Sequence, residues 1–442
     1  MRVPDPPGAD APTPNLAWLF GLQRFGARPG LDRVRALAQA VGAPQDDLRL
    51  VSVAGTNGKG SVARIVAACL EEAGARTGLF VSPHLQHVGE RAQVDGVIAD
   101  ESEMEHWVAR VRPPAERLEA TFFEVVTVAA LLRFAAAGAA WAVLEVGMGG
   151  RLDATNAFDP EASLITTVGL DHMAVLGDTV ERIAREKAGI LRPGVPAVSS
   201  AAGTAAAVIA EEAARVGTRV AFLGEAFFAS VSEMRWTGTT LAFHDPELHP
   251  GPLRLVTPLV GRHQAANVAV AAAAALRLGI APEKVARAVA RARWPGRLER
   301  LPHEGRWFVL DGAHNPQAAT VLAAALTELE GSVDTLVLGM SQDKDVQGVV
   351  APLRGLARRV LTSRAASSPR ALAPETLAGI VASGSEEGPP VRAIDDLPTA
   401  LAAARDATPV GGTIVVAGSL FLVGEARSWL SGEAAERYER WQ

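Results

Sequence analysis

Gly55, Gly58, Lys59, Gly60 and Ser61, in the run VSVAGTNGKGS from Val51 to Ser61, are the residue types that hold a nucleotide's phosphates. Glycines let backbone N–H groups converge on phosphate oxygens, and a helix beginning near Ser61 aims its positive end at the same place. Lys59 neutralises the phosphates, and a hydroxyl aids a metal ion. The spacing departs from G-x-x-x-x-G-K-[ST] twice: Gly60 separates Lys59 from Ser61, and position 53 is valine. A tight strand-to-helix turn with a solvated lysine competes with the phosphate reading of the loop alone.

Further groups invite the same weighing. Glu145 ends the apolar run Trp141–Val146, just before a glycine turn, where a carboxylate is costly to bury unpaired. Magnesium would satisfy it, since that hard cation takes oxygen ligands and keeps phosphates and waters. A helix cap or a bond to Arg151 would satisfy it too. His172 alone is more often a structural hydrogen-bonder, and magnesium prefers oxygen to imidazole. Lys187, beside Glu186, reads as a surface lysine. Thr121, Phe122, Phe123 and Glu124 open a helix-like run, where cap, core and first-turn acid are ordinary roles. His263, Gln264 and Asn267 open the run before Ala271–Ala275, and capping accounts poorly for Asn267, which lies inside it.

The elements that must position these groups alternate. Strand-like runs at Leu50–Ala54, Thr77–Val81, Trp141–Val146, Ser163–Val168 and Pro196–Ser199 are separated by helical or loop segments such as Val62–Ala73. This is the rhythm of a parallel sheet covered on both faces. Met234–Phe243 is hairpin-like, with Gly238 at the turn. A second alternation holds Trp307–Leu310, Ala318–Leu329, Thr335–Leu338, Arg359–Thr362 and Ile414–Ala417. Pro295 and Gly296 make Arg293–Glu299 a natural hinge, which predicts α/β domains over 1–295 and 296–442. In open α/β sheets ligands sit beyond the carboxyl ends of the strands. Lys59 and Ser61, Ser82–His84, Glu145, Asp171 with His172, and Asp311 with His314 and Asn315 all follow strand-like runs.

The chain has 442 residues, 48% hydrophobic and 21% charged, which fits a globular protein of more than one domain. A net charge of -6 argues against a general nucleic-acid binder and a polybasic membrane anchor. A single cysteine, Cys69, excludes an internal disulfide and fits a reducing compartment. Residues 1–14 form a Pro-rich lead, expected to be disordered and without an apolar signal core. The Ala/Val-rich runs are too short to span a bilayer. The chain is therefore expected in the cytoplasm.

Nine motifs, in this order, resemble folylpolyglutamate synthase/dihydrofolate synthase, the folate branch of the Mur-ligase superfamily. They are VAGTNGKGS (Val53–Ser61), SPHL (Ser82–Leu85), TFFE (Thr121–Glu124), EVGMGGRLDATN (Glu145–Asn156), LDH (Leu170–His172), EKAGI (Glu186–Ile190), HQAAN (His263–Asn267), WPGRLE (Trp294–Glu299) and DGAHNP (Asp311–Pro316). GTNGKGS is that family's own form of the loop. The resemblance implies a P-loop-type, mostly parallel ATPase domain followed by a smaller Rossmann-like glutamate-ligase domain. It also implies a reaction: ATP converts a carboxylate to an acyl phosphate, which the amino group of L-glutamate displaces. The carboxylate belongs to dihydropteroate or to the last glutamate of a reduced folate.

The resemblance further implies that Asn57, Gly58, Lys59, Gly60 and Ser61 hold the phosphates. Ser82, Glu145 and His172 would be magnesium ligands, directly or through a second ion. Asn267, Arg297 and Asp311 would contact ATP. Thr121, Phe122, Phe123, Glu124, Leu152, Asp153 and Ala154 would line the pteroate site, with His314 and Ser419 near the incoming glutamate or the ATP. In the family the EKAGI lysine, here Lys187, is commonly carbamylated. Reversing a unit charge about 6 Å from Mg²⁺ changes the Coulomb energy by roughly 11 kcal/mol at an effective dielectric of ~20. A monomer is expected. Met148 stands where leucine is frequent in the family, a tolerable apolar exchange. The alternatives are a cell-wall amino-acid ligase of the same superfamily, a catalytically silent ATP-binding module, or a P-loop kinase. The first generally carries a UDP-binding domain ahead of the loop, and about 50 residues are too few for one.

Overall fold

The apolar, β-branched run after Arg49 is buried on both faces, as a central parallel strand must be. In the computed structural model, which describes residues 13–25, 28–383, 388–434 and 438–440, it forms β1 (Arg49–Ala54). The same sheet holds β2 (Thr77–Phe80), β3 (Ala92–Val94), β4 (Val97–Ile98), β5 (Trp141–Glu145), β6 (Ala162–Ile165), β7 (Ala197–Ser199) and β8 (Val220–Phe222). Its order is β4-β3-β2-β5-β1-β6-β7-β8, parallel except where β3 pairs with β2 and β4. One face packs on helices Lys59–Glu72 and Arg262–Arg277, through Val62, Ile65, Val66, Val268, Ala269 and Ala272. The other packs on helices Pro14–Gly21, Asp32–Ala40, Glu101–Leu118 and Phe122–Ala136.

A three-stranded antiparallel sheet follows: β9 (Phe228–Arg235), β10 (Gly238–His244) and β11 (Leu253–Thr257). A six-stranded sheet then contains β12 (Glu299–His303), β13 (Arg306–Asp311), β14 (Thr335–Leu338), β15 (Val360–Thr362), β16 (Val391–Ala393) and β17 (Thr413–Ala417). Its order is β12-β13-β17-β14-β15-β16, with only β12 antiparallel to its neighbour. The two large sheets define two lobes.

Some expectations need correction. Ser163–Val168 is strand only to Ile165, because Thr166 and Thr167 turn away to bond the loop after β1. Gly238 begins β10 rather than sitting at the turn, and the hairpin belongs to a sheet completed by β11. The helix after β1, expected near Ser61, starts at Lys59. The lead expected over 1–14 lies outside the described residues as far as 12. Pro14, however, is the first residue of a helix, where a missing N–H costs nothing. Among the described residues no helix is long and apolar enough to cross a membrane. Cys69 is wholly buried, and burial pushes its thiol up to about 12, so it is unreactive.

At the end of β1 the chain must turn sharply under Thr166. Gly55 has φ +149°, and a Cβ there would lie 1.7 Å from Thr166 Oγ1. Gly55→Ala is therefore expected to lower unfolding free energy by about 2 kcal/mol or more. Urea denaturation followed by circular dichroism measures it, and a loss within about 0.5 kcal/mol would show that the turn is not confined.

Candidate active site

The loop between β1 and helix Lys59–Glu72 is built from backbone bonds. Thr56 N–H donates to Thr167 O at 2.7 Å. The Thr166 and Thr167 hydroxyls donate to Asn57 O at 2.7 and 3.2 Å. Thr56 Oγ1 bridges the backbone of Gly169, donating to its carbonyl and accepting from its N–H, both at 3.1 Å. Gly58, at φ +90°, caps the helix with no side-chain hydrogen bond, so the first helical N–H groups remain open to an anion. The loop is walled by Asn267, whose Oδ1 would lie 2.3 Å from a Cβ on Gly58, and by Trp294, 2.7 Å from one on Gly60. Asn267 is fixed by a 2.9 Å bond to Gln264. Lys59 Nζ folds onto Thr56 O at 3.3 Å, and Ser61 is buried.

Lys187 is not a surface residue. It is 4% exposed, and its Nζ donates to Gly55 O at 2.7 Å. Burial drives its pKa down to about 7, the charge of Lys59 assists, and Asp171 and Asp153 oppose. Its neighbour Glu186 faces outward and pairs with Arg151 at 3.3 Å.

Glu145, at the end of β5, is 5% exposed. Its Oε2 accepts from Ser82 N at 3.1 Å, and Arg151 is engaged elsewhere, so neither the cap nor the Arg151 pairing holds. Burial raises its pKa, while Lys59, the Ser82 N–H, Arg297 and Arg91 pull the other way. Ser82 Oγ is buried without a hydrogen-bond partner. A carboxylate beside an orphaned hydroxyl is an oxygen donor set that suits a hard cation such as magnesium. His172 lies on an exposed turn at φ +51°, its ring 4.0 Å from the Asp171 carboxylate. Among the described residues no three His, Cys, Asp or Glu side chains form a ready metal cluster.

Residues assigned to the pteroate wall mostly hold backbone. Thr121 caps helix Phe122–Ala136 in a reciprocal box with Glu124. Glu124 is also bound by Arg33 at 2.8 Å. Asp153 accepts from Met148 N at 2.9 Å and from Thr155 N at 3.0 Å. Phe122 and Ala154 are buried, Leu152 is exposed, and Phe123 packs edge-on against Phe80 at 5.7 Å.

The second lobe brings its own groups to the loop. Asp311, at the end of β13, accepts from Leu298 N and Ala313 N, each at 2.9 Å, and so holds Arg297 and His314 on either side of it. Arg297 Nη1 donates to Gly296 O at 3.0 Å, and His314 Nδ1 lies 2.9 Å from Gly312 O. Ser419 caps helix Leu420–Ser431. Asn315 Nδ2 donates to Asn57 Oδ1 at 3.0 Å, and Asn57 Nδ2 to Gln317 Oε1 at 2.9 Å. Lys344 Nζ bonds Asp171 at 2.7 Å, with the His314 ring 3.7 Å away. Burial alone would raise the Asp171 carboxyl, yet His314, His172 and Lys344 hold it well below the usual range. Gln317 and Lys344 were not among the expected site residues. Lys344 follows β14, so the rule that ligands gather beyond strand ends pointed to it.

Residues 53–275 match the Mur ligase middle domain, and residues 296–420 match the Mur ligase, glutamate ligase domain. The chain is 40% identical over 423 residues to a probable bifunctional folylpolyglutamate synthase/dihydropteroate synthase of Haloferax volcanii, covering 93% of this chain but only 49% of that protein. It therefore spans about half the length of that relative. It is 33% identical over 434 residues to the folylpolyglutamate synthase of Lacticaseibacillus casei, covering 95% of this chain and 99% of that one. It resembles Escherichia coli FolC in complex with DHPP and ADP, with TM-score 0.84, 30% identity and coverage of 96% and 99% of the two chains. It also resembles the Yersinia pestis bifunctional folylpolyglutamate synthase/dihydrofolate synthase complexed with AMPPNP and Mn ion, with TM-score 0.82, 30% identity and coverage of 97% and 100%. The chain belongs to the folylpolyglutamate synthase/dihydrofolate synthase family of Mur ligases.

Proposed function

We propose that this protein is an ATP-dependent ligase that joins L-glutamate to dihydropteroate, to the γ-carboxyl of reduced folates, or to both. The observation that carries the reading is the open phosphate loop, with Lys59 at its helix start and Asn57 bonded across the cleft to Asn315 and Gln317. Such a cleft suits a nucleoside triphosphate gripped from both sides. The relatives named as folylpolyglutamate synthases, and those solved with ADP or AMPPNP, support it. A domain cut at 295/296 supplies the hinge, and one chain carries both lobes, so a monomer suffices.

In this reading the carboxylate of the acid substrate is the nucleophile, and the protein contributes position and charge. It takes the terminal phosphoryl group of ATP, releasing ADP. The glutamate amine then forms the C–N bond, and phosphate leaves with the C–O electrons. Gly58 and Gly60 open the backbone N–H groups to phosphate, Lys59 offsets its charge, and Asn267, Arg297 and Asp311 bind or shape the nucleotide site. Thr121–Glu124 and Leu152–Ala154 frame the acid, with His314 and Ser419 toward the glutamate. Ser82, Glu145 and His172 would hold one or two magnesium ions, which when bound supply charge neutralisation at the phosphates. Closure excludes water from the activated acid.

Dihydropteroate or tetrahydrofolate, supplied separately with ATP and labelled glutamate, is expected to gain one glutamate by mass. Phosphate release that needs no amine would instead indicate a kinase, and no release a silent module. Lys59→Ala is expected to lower turnover by about 100-fold or more with an unchanged melting curve. A loss under about threefold would remove Lys59 from the phosphate site.

The buried amine of Lys187 is proposed to be carbamylated. The ammonium gives up one proton, and the neutral nitrogen then attacks CO₂ and loses a second, which replaces a cation beside the loop with an anion. Only the neutral amine reacts. With a folded pKa of about 7, that form grows as pH rises through 7, whereas an exposed lysine stays protonated to about 10. In ¹³C-bicarbonate buffer the wild type is expected to show a carbamate resonance strengthening from pH 6 to 8, absent in Lys187→Met. The same variant is expected to lose about 100-fold in turnover. Identical spectra for the two proteins would dismiss the modification.

A further inference from the structure

The segment Tyr438–Arg440 joins both lobes. Arg440 is 1% exposed. Its Nη1 donates to Leu85 O at 2.9 Å, in the loop that begins at Ser82. Its Nε and Nη2 donate to Ser367 Oγ at 3.0 and 2.7 Å, and its backbone N to Ser367 O at 2.7 Å. The guanidinium stands 4.4 Å from the Phe421 ring centre and 3.8 Å from Glu425. Glu425 itself accepts from Ala366 N and Ser367 N, each at 2.9 Å. A buried guanidinium is tolerated only with such a set of partners, and that set spans both lobes.

Tyr438, two residues earlier, stacks on Phe20 with ring centres 4.5 Å apart and planes 11° from parallel. Its hydroxyl lies 2.5 Å from Thr13 Oγ1. Phe20 in turn meets Phe122 at 5.7 Å and His84 edge-on at 6.2 Å. The strap thus touches two things at once: the backbone of the loop carrying Ser82, and the aromatic wall that includes Phe122.

We propose that Tyr438 and Arg440 are positioning residues for the acid substrate, holding loop Ser82–Leu85 and the Phe20–Phe122–His84 wall in register. This rests on the ligase reading above. Tyr438 stacks on the wall assigned to the flat, aromatic acid, whereas Arg440 holds the Leu85 end of the loop whose Ser82 end is assigned to magnesium, so the effect selective for the acid falls to Tyr438.

The test is kinetic and spectroscopic. Tyr438→Ser is expected to raise KM for dihydropteroate or folate about tenfold, with KM for ATP within about twofold of wild type, and Arg440→Met to raise the KM for the acid by a similar factor. Tyr438→Phe, which keeps the stack, is expected to match wild type. Equal rises in both KM values for Tyr438→Ser, or no rise in the KM for the acid in either variant, would overturn the proposal. Because Tyr438 is the only tyrosine of the chain, 3-fluorotyrosine labelling yields one ¹⁹F line. That line is expected away from the free amino acid's position in wild type and to return toward it in Arg440→Met. A wild-type line already at the free position would also overturn the strap. Wild-type protein that turns over neither acid, with its line displaced, would sink the ligase reading and leave the docked strap standing. Normal turnover with unaffected variants would do the reverse.

Discussion

The conformation of the four residues Gly55–Gly58 is the constraint on which the rest of the cleft depends. All four of their carbonyls are held: Gly55 O by Lys187, Thr56 O by Lys59, Asn57 O by the Thr166 and Thr167 hydroxyls, and Gly58 O by Val62 N. With the carbonyls drawn inward and away, the N–H groups at the helix start are left to face the cleft. A loop free to turn a carbonyl toward a phosphate would repel it, so these bonds act electrostatically as well as sterically. They also explain why an apolar strand, β6, stops early. Its continuation serves the loop rather than the sheet.

The same loop is where the lobes meet. Asn57 is tied from below by Thr166 and Thr167 and from across the cleft by Asn315 and Gln317. Asp171, on the turn that holds Thr56, is bonded by Lys344. The cross-lobe bonds are polar, few and partly exposed, the kind that opens at modest cost. The contact through Arg440 is different. Its guanidinium is wholly buried, and parting the lobes would take from it the Leu85 carbonyl, while Ser367 and Glu425 belong to its own lobe.

Much of this was legible in the residues. Apolar runs located the inner strands to within a residue or three, because strands buried on both faces leave no other pattern. The strand-end rule then assembled Lys59, Glu145, Asp171 and Asp311 from four distant places. Short or edge strands such as β3, β4 and β16 escaped, since two or three residues carry no periodicity. Lys187 was read as exposed on charge alone. Helical spacing said otherwise: it lies four residues after Ile183 and three after Ala184, on the buried face. Tyr438 and Arg440 had no signature, because a three-residue contact is created by tertiary packing.

Burial alone does not single out a metal ligand, and three carboxylates make the point. Asp153, Asp311 and Glu145 are all buried, and desolvation pushes each of them upward. Asp153 is answered by the Met148 and Thr155 N–H groups and the Thr155 hydroxyl, and Asp311 by those of Leu298 and Ala313. Their charge is met by fixed dipoles, and their work is to shape backbone. Glu145 has one N–H donor, from Ser82, and the neighbouring Ser82 hydroxyl has no partner of its own. A carboxylate with one N–H donor beside an unpartnered hydroxyl oxygen, its charge met only at longer range by Lys59 and Arg297, keeps oxygen lone pairs available to a hard cation. That imbalance is why magnesium is proposed at Glu145 and at neither aspartate, although all three sit at the ends or turns of the same crevice.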